Sequence, residues 1–114
     1  MNIAKELFSI STEAVKGNTD PHRAVELLQK LSALHGSATE EWIEAEMRYN
    51  ILYKNLTNTY EKVSEARANA KATEEYKEKL LKESQIDSIN RLIDSMKYLI
   101  KIKMNEYQGS RYQT

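Results

Sequence analysis

His22 and His35 are the only imidazoles in the chain, so acid–base or metal chemistry near neutral pH has few places to reside. A metal site inside a helical bundle is commonly built from Glu-x-x-His pairs on facing helices, which put two ligands one turn apart on one face. Neither histidine stands three residues after a Glu. His22 follows a helix-starting Pro21, and His35 falls in a predicted last turn, where a cation is favourable to the helix dipole. Glu40, Glu41, Glu44 and Glu46 form an acidic cluster at a predicted helix start, a pattern expected of a solvated face that complements the dipole.

Other chemistries are excluded by composition. There is no Cys, which removes thiol catalysis, zinc ribbons and disulfide scaffolds together. Three scattered Gly cannot build a phosphate-binding loop or a dinucleotide fingerprint, and no nucleophile motif is present. The expectation is a protein that is not an enzyme, with no catalytic, cofactor-binding or metal-ligating residues. Lys97, Lys101, Lys103 and Arg111 interleaved with Tyr98, Tyr107 and Tyr112 form the best nucleic-acid candidate, since cations neutralise phosphates and Tyr stacks on exposed bases. Lysines that favour a helix C-terminus explain the same pattern without a ligand.

These residues sit in a charge-balanced chain. Of 114 residues, 17 are Lys or Arg and 17 are Asp or Glu, so no whole-protein field draws in nucleic acid or an acidic membrane. Residues 1–46 lean acidic and residues 47–114 mildly basic. No apolar run is long enough for a signal peptide or a membrane span.

Helical spacing dominates the pattern. Ile3, Leu7, Ile10 and Ala14 form one apolar stripe, and Gly17-Asn18 supplies a left-handed stop. Asp20 and Pro21 read as an N-cap and first helical residue. Ala24, Leu27, Leu28, Leu31 and Leu34 follow as a stripe that Gly36 is expected to end. Ser37-Ala38-Thr39-Glu40 has the form of a capping box. From it runs a seam through Trp42, Ala45, Tyr49, Leu52, Leu56, Tyr60, Val63, Ala66 and Ala70. A second seam passes through Ile86, Ile89, Ile93, Met96, Ile100, Met104 and Tyr107, widened by Leu92 and Leu99.

One unbroken rod from 38 to 107 would be roughly 105 Å long. Between Val63 and Leu80, however, Tyr76 is the only large apolar side chain, and Thr73-Glu74-Glu75 resembles a helix start. The expected fold is all-α. It is a long antiparallel helical hairpin, coiled-coil-like, turning near residues 70–74, with two short N-terminal helices packed on it. The predicted domain is 1–108, with short helices about 2–16 and 20–35, long helices about 38–71 and 73–107, and a flexible tail over 109–114.

The stretches ATEEWIEAEMRYNILYKNL and IDSINRLIDSMKYLIKIKMNEY resemble small helical proteins encoded in bacteriophage genomes. The resemblance covers roughly residues 38–107 and carries no functional residue. It implies a viral protein acting in a bacterial host cytoplasm or in the virion. A two-helix hairpin shares only one seam, and the wide apolar face of Ile89, Leu92, Ile93, Met96, Leu99 and Ile100 needs further cover. The expected function is therefore protein binding: a helical adaptor or scaffold that forms a homo-oligomer and meets a further protein partner. Two alternatives are an anti-defence inhibitor of a host nuclease, in the manner of anti-CRISPR proteins, and a nucleic-acid-binding accessory of phage replication or recombination. No cofactor and no membrane contact are expected.

Overall fold

The computed structural model describes the backbone of residues 2–17 and 19–112 and the side chains as far as residue 106. Four helices carry almost all of it: α1 (Ile3–Val15), α2 (Pro21–Thr59), α3 (Val63–Lys71) and α4 (Glu74–Tyr112). No strand occurs among the described residues. The all-α class holds, with α2 and α4 packed together and the shorter helices alongside. Packing divides the chain into two units, one made of residues up to Gly36 with those from Asp87 onward, the other of Ser37–Ile86.

In the first unit, the Asn2 side chain caps α1 by accepting from the Lys5 N–H at 3.1 Å. Ile3, Leu7 and Ile10 then bury one stripe of that helix. Gly17, at φ +73°, takes the left-handed conformation that lets the chain leave α1 without a Cβ clash. Asp20 accepts from the Arg23 N–H at 2.8 Å, so the cap read from Asp20-Pro21 forms. Ala24, Leu27, Leu31 and Leu34 from α2 meet Ile89 and Met96 from α4 in a core where each is at most 3 % exposed. A fork from Arg23 to Glu13, at 2.6 and 2.7 Å, ties α2 to α1.

Gly36 does not end a helix. α2 runs through it and through the expected capping box at residues 37–40. The physical reason is the burial pattern. Leu31, Leu34, Ala38 and Ala45 are all buried and stay in helical phase across the glycine. A glycine inside a helix costs about 1 kcal/mol. Interrupting a stripe of buried aliphatic side chains would forfeit more than that.

In the second unit, α2 and α4 run antiparallel. Residues 41, 42, 48 and 49 of α2 meet residues 82, 83, 78 and 76 of α4, so numbers rise on one helix as they fall on the other. This register sets Glu74, the first residue of α4, level with about Ile51. The chain leaves α2 eight residues later, at Thr59. The nine residues of α3 cover roughly the 12 Å of return. The reversal therefore lies at residues 60–62, and the step at Ala72-Thr73 joins two segments of the returning arm. The expected single helix over 38–71 and the expected turn near 70–74 are corrected accordingly.

The cause is local. Asn55 to Thr59 contains two Asn and two Thr, all weak helix formers. The hydroxyls of Thr57 and Thr59 donate to the carbonyls of Lys54 and Asn55, at 2.7 and 3.0 Å, the back-bonding that loosens a helix end. Val63, expected in the seam, is 59 % exposed because the break at 60–62 shifts the helical phase. Ala66 and Ala70 remain fully buried, small enough for close helix approach. The Thr73 cap forms as read, its hydroxyl accepting from the Tyr76 N–H at 3.3 Å.

The backbone of α4 continues as helix past the expected end at 107 to Tyr112. The remainder of the tail, residues 113–114, lies outside the described residues.

Candidate interaction surfaces

The polar side of the second unit is occupied internally. Lys82 donates to Glu41 at 2.8 Å, Trp42 Nε1 donates to Glu83 at 3.3 Å, and Arg48 bridges Glu44 and Glu78. The acidic cluster thus sits mid-helix in α2, where Glu41 and Glu44 serve as ion-pair partners. Tyr49 stacks with Tyr53 and tilts against Tyr76, with the Lys79 ammonium 4.9 Å from its ring centre. Burial first, then the neighbouring Tyr76 and Tyr53, pushes the Tyr49 phenol above its ordinary pKa. Two of the chain's Tyr residues therefore join helices rather than await a ligand, and Trp42 does the same through its ring nitrogen.

The other side of α2 in this unit is different. Ile43, Met47 and Ile51 are 45, 58 and 62 % exposed, and their spacing of four residues lines them along one side of the helix. They point away from Ala45 and Tyr49, which face α4. Single exposed aliphatic residues are ordinary on protein surfaces, but three in succession along a helix make a ridge. A break-free α2 keeps Met47 in this phase, and none of the three belongs to the seam that the sequence marks on this helix. Their four-residue spacing was the available signal, running beside the stronger seam of Trp42, Ala45 and Tyr49.

The face expected on α4 is split by the first unit's own packing. Ile89 and Met96 are 0 and 2 % exposed and belong to the core. Leu92, Ile93, Leu99 and Ile100 are half-buried. Leu92, Met96 and Leu99 join Ala14 and Val15 of α1 along an open groove of about 400 Å³. Ile93 lies in a second depression with Leu28, Ser32, His35, Asp94 and Lys97.

The basic and aromatic residues do not form one patch among the described side chains. Lys97 and Lys101 are one turn apart and exposed, with Tyr98 beside them at 67 % exposure. At about 100° per residue, Lys103 points to nearly the opposite side of α4 from Lys101, and it pairs with Glu106 at 3.7 Å. The side chains of Tyr107, Arg111 and Tyr112 lie outside the described residues. Among the described residues no group of His, Asp or Glu is arranged to hold a metal ion, and no helix is long and apolar enough to cross a membrane. No protein-family model, curated protein or solved structure matches the chain.

Proposed function

We propose that this chain is a non-enzymatic interaction protein, a helical adaptor or scaffold that associates with copies of itself. The ridge of Ile43, Met47 and Ile51 carries the reading. It places three large aliphatic side chains in water along one helix while the polar groups on the neighbouring side are already paired. Exposed apolar area of this kind favours association by removing it from water, at about 25 cal/mol per Å² before the cost of ordering two molecules.

The phage resemblance sets this activity within a viral assembly. An inhibitor of a host nuclease would use the same apolar surface on a foreign protein instead. Light scattering of the purified chain across about 1–300 µM (from below to above the Kd range of a small interface) separates the two. A mass rising from one chain toward two or more supports self-association. A one-chain mass throughout contradicts it.

A further inference from the structure

The ends of the apolar ridge carry opposite charges. Glu40 lies one turn before Ile43, and Lys54 lies one turn after Ile51; both are exposed. Neither has an ion-pair partner among the described residues, although Glu41, Glu44 and Arg48 nearby are all paired. Taking Ala45 as the inward direction, Ile43, Met47 and Lys54 fall within about 20° of the outward direction, and Glu40 and Ile51 within about 60°. The outward face therefore carries, in order, Glu40, Ile43, Met47, Asn50, Ile51 and Lys54: an acid, an aliphatic row with the exposed Asn50 amide beside Ile51, and a base.

Resting on the reading of a self-associating chain, we infer that the occupant of this face is the same face of a second copy, antiparallel, with the two-fold axis at Met47. Met47 is equidistant in sequence from Ile43 and Ile51 and again from Glu40 and Lys54. Reversing one helix about that point sets Ile43 against Ile51 of the partner subunit and Glu40 against Lys54 of the partner subunit, each contact made twice by symmetry. A parallel pair would instead set Glu40 against Glu40 of the partner subunit and lysine against lysine, which like-charge repulsion disfavours. The contact spans 15 residues, roughly 21 Å of helix, so the interface is small and the dimer is in concentration-dependent exchange with the monomer.

The absence of native Cys makes the test clean, because every introduced thiol is unique in its chain. With a short thiol-bridging reagent, Met47→Cys should yield covalent dimers. Ile43→Cys alone and Ile51→Cys alone should yield few, but a mixture of the two should cross-link to each other. Glu40→Lys or Lys54→Glu should each weaken association by about tenfold, and both together in one chain should restore it. All five positions are exposed, so unchanged helical circular dichroism of each variant confirms that folding is intact.

Cross-linking of Ile43→Cys with itself as readily as of Met47→Cys overturns the antiparallel arrangement. A dimeric mass with no cross-link at any of these positions overturns the assignment of this face and leaves self-association standing. A one-chain mass at every concentration overturns both.

Discussion

At the residue scale, Gly17 and Gly36 make opposite demands. Gly17 stands at φ +73°, where a Cβ is strained whatever the space around it. Gly36 is helical, and a Cβ added there meets nothing within 4 Å. Gly36→Ala should therefore stabilise the protein by about 0.5–1 kcal/mol, and Gly17→Ala should destabilise it by about 1 kcal/mol or more, both read from urea denaturation. A destabilised Gly36→Ala would mean that the chain turns at residue 36 after all.

The Glu13–Arg23 fork gives a pH dependence at the same scale. The hydrogen bonds from Arg23 hold the Glu13 carboxyl below its ordinary value of 4.5. A carboxylate depressed in the folded state contributes stability that is fully present above the unfolded value and disappears as pH falls through the folded one. Stability should thus decline with acidification below about 4.5, and Glu13→Gln should flatten that part of the profile. An unchanged profile would mean the fork is not formed in solution.

At the element scale, capping chemistry was legible and continuity was not. Asp20-Pro21 and Thr73-Glu74 announced helix starts that the structure contains, because a cap needs only a side-chain oxygen three residues from an open N–H. Ser37-Glu40 has the same local signature without the function, since a buried stripe on both sides of it keeps α2 helical. Gly36 misleads for the same reason. The break at 60–62 contains neither Gly nor Pro; only the weak run Asn55–Thr59 marks it, and such propensities decide an outcome only where packing permits. Removing the hydroxyl by Thr73→Ala should cost about 1 kcal/mol, measured by thermal unfolding, because the Tyr76 N–H loses its cap and the Ala70 carbonyl is left with the Thr73 backbone N–H alone.

At the scale of the whole molecule, the core and the surface separate two kinds of residue that look alike in sequence. Ile89 and Ile51 are both aliphatic members of helical stripes, yet one is 0 % and the other 62 % exposed. Ile89→Ala should destabilise folding by about 2–5 kcal/mol through lost burial and a cavity. Ile51→Ser should leave the stability of the monomer nearly unchanged and weaken association. The all-α class was readable because helical periodicity persists along the chain. The candidate face on α4 was readable only in outline, since the pattern marks Ile89 and Leu92 alike and only packing decides which one is covered.

The outward ridge exists because α2 meets α4 in a register that turns Ala45 and Tyr49 inward, and that register can be measured. Spin labels at Ile51 and Glu74, diluted with unlabelled chain so that only distances within one molecule count, report it directly. Helices packed in the observed register set these positions side by side, giving a distance of about 10–20 Å once label linkers are included. A chain that ran straight through residues 60–62 and reversed at 72–73 would separate them by about 30 Å or more, and that value would contradict the placement of Ile43, Met47 and Ile51 on a free face.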